Sequence, residues 1–178
     1  MYIIDSQVHI WGTDTPERPW PPLGLKPHRP EPFSGEDLLC EVDEAGVHRA
    51  VIVPPTWEGD RNDLALEAAR LHPDRFAIMG RIDLESPESR GLMASWRRQP
   101  GMLGLRLTFK HSHLRETLSE GRADWLWAEA EQAGVPIMVL VDWEQIRLID
   151  RTAERHPGLK LVLDHLCIPS GTKDEEAF

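Results

Sequence analysis

Six short apolar runs, at residues 2–8, 50–53, 76–82, 103–107, 137–141 and 159–163, constrain this chain more than any other feature. Each is rich in Val, Ile and Leu and bounded by turn residues, the pattern of a strand buried in a parallel sheet. The segments between them carry helical patterning. Ser34 is placed to cap a helix that runs to Ala45 and is ended by Gly46. Asn62 is placed to cap a helix over 63–71, where Leu64, Leu66, Ala68, Ala69 and Leu71 form an apolar stripe. Residues 86–98, 123–133 and 143–155 continue the alternation. The joints repeat as well. Glu44-Ala45-Gly46-Val47 matches Gln132-Ala133-Gly134-Val135, and Leu71-His72-Pro73 matches Arg155-His156-Pro157. Gly ends a helix by taking a positive φ and Pro cannot continue one, so these joints are helix stops that feed strands. From the second run on, strand centres recur about every 22 to 34 residues. That is a βαβ rhythm, and it implies parallel strands joined by right-handed crossovers.

Two architectures share this rhythm, an open doubly wound sheet and a closed (β/α)8 barrel. A dinucleotide-binding doubly wound sheet places a Gly-rich turn directly after its first strand. Here the first strand enters a loop over 11–33 that holds seven prolines and two well-separated glycines. Long loops inside compact domains are usually functional, and the carboxyl end of a strand is where a barrel builds its site. The expected fold is therefore α/β, a (β/α)8 barrel truncated after about six strand–helix units. Residues 170–178 read as the start of a further helix, and the chain 1–178 is expected to be one domain, incomplete at its C-terminus. A typical barrel has roughly 250 residues.

Charge excludes some partners. The 178 residues carry 20 Lys and Arg against 30 Asp and Glu, a formal charge of −10. No basic cluster interrupts this balance, which argues against nucleic acid and anionic membrane surfaces. The longest apolar run, 135–141, is too short to span a bilayer and contains Pro136. The first residues lack the pattern of a signal peptide. Cys40 and Cys167 have no metal-site spacing, so two free thiols in the cytoplasm are expected. The expected partner is a small-molecule substrate. A homo-oligomer is compatible with the sequence, and in a truncated module the exposed edges of the first and sixth strands would be templates for pairing with another chain.

Alternation along the strands selects the site residues. Asp5, Gln7 and His9 share one face of the first strand, and polar groups on a buried strand are costly unless they meet a ligand, an ion or each other. His165 shares the face of Leu163 at the carboxyl end of the sixth strand. In the fourth strand Leu103, Leu105 and Leu107 should pack under helices, which turns Arg106 inwards. Arg81 and Asp83 lie near the top of the third strand. An inward Arg serves either as an internal ion pair, such as Arg81 with Asp83, or as a clamp for a substrate anion. His48, His72 and His156 precede strands, so structural roles are expected for them. His28 lies in the long loop, and His111 and His113 are expected in an exposed loop after the fourth strand. His9 and His165 remain as the pair of catalytic candidates. Trp11, Trp20 and Trp57 would either wall a pocket or pack.

These residues resemble a known family. Ile4-Asp5-Ser6-Gln7-Val8-His9-Ile10-Trp11 is similar to the first-strand Asp-x-His-x-His-x-Trp signature of the amidohydrolase-related proteins, which include lactonases and decarboxylases. Residues 156–169, a His-Pro turn and an apolar strand ending Asp164-His165 with Pro169 beyond, resemble the sixth-strand motif of that family. Gly104-Leu105-Arg106-Leu107 is similar to its Gly-x-Arg pattern. The resemblance implies a divalent metal ion, commonly zinc or manganese, or a metal-free site built on the same histidines. It implies His9 and His165 as ligands and catalytic residues, with Gln7 at the place of the first ligand histidine. An amide oxygen is a weaker zinc ligand than imidazole, so weak metal binding or none is also compatible. The family's eighth-strand Asp has no counterpart in the sequence. The implied function is a metal-dependent hydrolase of a small carboxylated cyclic ester, with Arg106, Arg81 and Trp11 on the substrate side. The alternatives are a non-oxidative decarboxylase of the same superfamily and a truncated module without catalysis.

Overall fold

In the computed structural model the described residues are 1–110 and 112–167, with the side chains of Ser112 and His113 left out. The expectations for His111 and for residues 170–178 lie outside them. Six strands form: β1 (Ile4–Val8), β2 (Arg49–Ile52), β3 (Phe76–Gly80), β4 (Met102–Thr108), β5 (Ile137–Leu140) and β6 (Leu161–Leu163). Their order in the sheet follows the chain, and β1 with β2, β2 with β3, β4 with β5 and β5 with β6 pair in parallel. This is the α/β fold of the (β/α)8 barrel type, with six of its strands among the described residues. The helices are α1 (Gly35–Glu44), α2 (Asp63–Leu71), α3 (Ser112–Ser119), α4 (Asp124–Ala133) and α5 (Ile146–Arg155). Among the described residues no helix is long and apolar enough to cross a membrane.

The chain divides into two compact units. The first comprises Met1–Asp83 and Ser95–Gly104. Its interior is built from Ala50 and Ile52 of β2 with Val53 just beyond, from Phe76, Ile78 and Met79 of β3, and from the inner faces of α1 and α2. Ser34 caps α1 as expected, in a reciprocal pair with Asp37, and the helix stops at Ala45 before Gly46. The stripe of α2 differs from expectation. Ala65, Ala68 and Ala69 are buried, whereas Leu71 is half exposed. Small residues let the backbone come close: a Cβ built on Gly35 would stand 2.8 Å from the Cβ of Ala68, and one on Gly101 2.6 Å from that of Ala69.

The second unit comprises Leu84–Ala94 and the described residues from Leu105 on. Leu105, Leu107 and Phe109 bury with Ile137, Val139 and Val141 and with Leu126, Trp127 and Ala130 of α4. The rings of Phe109 and Trp127 lie 6.0 Å apart. Burying side chains of this size contributes about 1.5–3 kcal/mol each. The helix expected over 86–98 is instead two 3-10 segments, Pro87–Ser89 and Leu92–Arg98, separated at Gly91, whose φ of 81° leaves helical geometry. Ser112 and His113 open α3, where a loop was expected at His113.

The two end strands are less buried than a central parallel strand. Residues 4–6 are exposed, as are Val162 and Leu163. Each of these strands has a ladder partner on one side among the described residues, β2 for β1 and β5 for β6, which leaves apolar side chains of both in contact with solvent.

Candidate active site

In the first unit the carboxyl ends of β1 and β2 meet at His9. The Val53 amide donates to the Val8 carbonyl at 2.8 Å. The His9 ring lies with Nδ1 2.6 Å from the Val53 carbonyl oxygen. A carbonyl only accepts, so Nδ1 carries the proton, and in the neutral ring the lone pair lies on Nε2. Metal-binding histidines are commonly fixed through their other nitrogen in this way. The edge of Trp57 meets His9 with ring centroids 6.0 Å apart and planes at 71°. The Gln7 backbone N–H donates to Asp5 Oδ1 at 3.0 Å, and the β1–β2 register is irregular between Asp5 and Val8. Strict alternation therefore does not carry through to His9. Asp5 is exposed, whereas Gln7 and His9 are half-buried.

The long loop is anchored at its root and along its length. Trp11 and Phe33 exchange backbone hydrogen bonds of 2.9 Å, and the Trp11 indole N–H donates to the Glu31 carbonyl. Trp11 is thus buried where the loop closes on itself, packed beside Phe33, His28 and Trp57. The buried Glu58 carboxylate accepts from the Gly12 amide at 2.7 Å and from Arg18 at 2.8 and 3.0 Å. Arg18 also holds Asp63 at 2.6 and 3.0 Å. These hydrogen bonds, that to Asp63 first, raise the Arg18 pKa further, and the same Arg18 contact holds the Asp63 carboxyl below its ordinary range. Sequence reasoning missed Arg18 and Glu58. A lone Glu in a polar stretch gives no sign of burial.

Asn62 stands before α2, but its side chain makes no capping bond. Its amide bridges to Arg81 instead: Oδ1 accepts from the Arg81 N–H at 2.7 Å, and Nδ2 donates to the Arg81 carbonyl at 2.8 Å. Arg81 directly follows β3 and is buried, with Nε 3.7 Å from Asp60 Oδ1.

In the second unit Arg106 is buried on β4. Its Nε and Nη2 donate to Asp164 Oδ2 at 3.1 and 3.0 Å, and its Nη1 donates to Thr108 Oγ1. Burial lowers the Arg106 pKa, and the charge and hydrogen bond of Asp164 oppose that shift. The fork expected to meet a substrate anion is thus engaged with Asp164. His165 follows, exposed, with Nε2 3.6 Å from Asp164 Oδ1. His165, Leu166 and Cys167 have φ of 50°, 52° and 58°. Left-handed backbone costs roughly 1–2 kcal/mol per non-glycine residue. This turn ends the strand alternation at Leu163, so Asp164 is the buried residue of the Asp-His pair.

His48, His72 and His156 behave as their positions before strands suggest. His72 pairs with Glu36 at 2.8 Å and His156 with Glu131 at 3.0 Å, while His48 Nδ1 accepts from the Ile3 amide. Cys40 and Cys167 are free thiols, and burial raises the pKa of Cys167. No group of three His, Cys, Asp or Glu placed to hold a metal ion occurs among the described residues. The donor chemistry of His9 by itself fits a divalent ion.

Comparison with known proteins agrees with this architecture. The amidohydrolase family matches residues 4–177. L-fucono-1,5-lactonase of Burkholderia ambifaria is 27% identical over 176 residues, covering 93% of this chain and 57% of that protein. A zinc-bound amidohydrolase structure from Burkholderia multivorans superposes with a TM-score of 0.76 at 22% identity, covering 99% of this chain and 62% of that one. A structure described as a probable 2-pyrone-4,6-dicarboxylic acid hydrolase from Acinetobacter baumannii, with citric acid bound, gives 0.75 at 15% identity, covering 99% and 63%. The chain thus spans about three-fifths of the length of these relatives. With strand–helix order, sheet order and family match in agreement, the chain belongs to the amidohydrolase family.

Proposed function

We propose that this chain belongs to a metal-dependent hydrolase of a small carboxylated cyclic ester. The observation that carries the reading is the His9 imidazole, held through Nδ1 on the Val53 carbonyl so that Nε2 bears the lone pair at the carboxyl end of β1. In the first unit His9 Nε2 and Gln7 Oε1 would hold the ion, and the family resemblance adds His165 of the sixth strand as a ligand. When bound, it would act as a Lewis acid that polarises the ester carbonyl. His165 would be oriented by Asp164, whose other oxygen is fixed by Arg106. Of the substrate-side residues, Arg106 gives its fork to Asp164 and Trp11 roots the loop, so Arg81 would take the substrate carboxylate. The loop over 11–33, tied down through Arg18 and Glu58, would exclude water from that pocket.

The ester reading draws on the lactonase relative and on the pyrone-dicarboxylate hydrolase neighbour. The test uses the protein as expressed from its gene, with 2-pyrone-4,6-dicarboxylate and L-fucono-1,5-lactone as probes. Turnover of the dicarboxylate is expected, and His9→Ala and His165→Ala should each lower it by about 100-fold while circular dichroism is unchanged. Metal content below roughly 0.1 equivalent after reconstitution, with activity retained, would eliminate the metal-dependent mechanism.

A further inference from the structure

We propose that Asn62 is a positioning residue, whose side-chain amide fixes the backbone of Arg81 so that its guanidinium is presented to the substrate carboxylate. This rests on the reading that Arg81 takes that carboxylate.

The location of Asn62 suggests helix capping, and the structure shows a different use. Ser, Asp and Asn cap helices about equally well, because capping needs only a side-chain oxygen. Asn62 makes no such bond. Its oxygen and nitrogen both go to the backbone of one residue nineteen positions away, the N–H and C=O of Arg81, at 2.7 and 2.8 Å. Only a primary amide offers an acceptor and a donor side by side in this geometry. The pair replaces ladder bonds that end here, since β2 stops at Ile52 and β3 at Gly80. Room for the amide is made at Gly80, where an added Cβ would stand 2.9 Å from Asn62 Oδ1.

The consequence concerns the Arg81 side chain. A flexible Arg loses much rotamer freedom when it binds an anion, and fixing its Cα beforehand lowers that cost. Displacements of about 1 Å at a binding group can cost on the order of 100-fold in rate. The connection between β2 and α2 also carries Trp57 beside His9 and Glu58 beneath the loop. Asn62 thus ties the element that contacts His9 to the carboxyl end of β3.

The experiment compares kcat/KM for 2-pyrone-4,6-dicarboxylate with that for the uncharged L-fucono-1,5-lactone, in the protein as expressed from its gene. The ratio of the two cancels any loss of folded protein. Asn62→Ala should lower the ratio about tenfold, mainly through KM for the dicarboxylate. Asn62→Ser and Asn62→Asp, both competent helix caps, should lower it similarly if positioning is the role. Either of these two keeping the wild-type ratio would assign Asn62 to capping and overturn the proposal. Arg81→Ala serves as the parallel control. If it lowers the ratio while all three Asn62 variants leave it within about twofold, positioning by Asn62 is refuted and the Arg81 reading stands. If Arg81→Ala leaves the ratio unchanged, or neither probe is turned over, both the reading and the inference built on it fall.

Discussion

Arg106 directs two nitrogens at a single oxygen of Asp164, at 3.1 and 3.0 Å, and both side chains are shut away from water. A buried ion pair is weak evidence of net stability, but removing one partner leaves an uncompensated charge. Asp164→Ala should therefore destabilise the protein by roughly 3–5 kcal/mol in urea denaturation. The double variant Arg106→Met with Asp164→Leu, apolar at both positions, should recover most of that loss. A double variant no more stable than Asp164→Ala would mean that the Thr108 contact and local packing, not the charge pair, dominate.

Much of the fold was legible in the sequence because its signals are local. All six strands, the Ser34 cap of α1 and the stop at Gly46 follow from apolar runs and turn residues within a few positions. The site was legible where strand alternation holds, and it failed where the backbone leaves strand geometry. The irregular register after Asp5 and the left-handed turn at His165 both break the period of two. Arg18 with Glu58, and Asn62 with Arg81, join residues 40 and 19 positions apart through side chains. No local pattern encodes such pairs, and a cap position before α2 suggests a different bond for Asn62 from the one it makes.

Gly101 and Gly46 separate packing from backbone strain. Both have φ of +68°, so Ala at either position is strained. A Cβ on Gly46 meets nothing within 4 Å, whereas one on Gly101 would lie 2.6 Å from the Ala69 Cβ and 3.4 Å from the Phe76 carbonyl. Gly46→Ala should cost about 1 kcal/mol and Gly101→Ala about 1–3 kcal/mol more, as measured by thermal unfolding. Equal losses would show that α2 can shift away from the β3–β4 connection at little cost.

The Arg18–Asp63 contact gives the stability a predictable acid limb. Because the folded-state pKa of Asp63 is depressed, the contribution is present above the unfolded carboxylate value near about 4 and is lost as pH falls through the folded one. Unfolding temperature measured from about pH 5 to 3 should fall less steeply in Arg18→Ala than in the wild type. Asp63→Asn should flatten the same limb. Unchanged slopes in both variants would mean that the contact does not persist in solution. Arg18→Ala should also speed proteolytic cleavage within the loop over 11–33, since Glu58 then loses its main link to it.

Gln7 offers the most direct test of the proposed metal site, because its neutral amide is the weakest donor in the set. If Gln7 occupies a ligand position beside His9, Gln7→His replaces a poor oxygen donor with an imidazole and should tighten zinc binding by tenfold or more, on the order of a second ligand nitrogen. Competition against a chromophoric chelator at neutral pH would measure this. The gain must also depend on pH in a defined direction. Imidazole binds metal only when deprotonated, so the advantage of the variant should shrink below about pH 6.5 as the new His gains a proton. The side chain at position 7 is half-buried at the end of β1, so the substitution changes a donor with modest demands on packing. Equal zinc affinity for wild type and variant, with both folded, would place position 7 outside the reach of an ion held by His9.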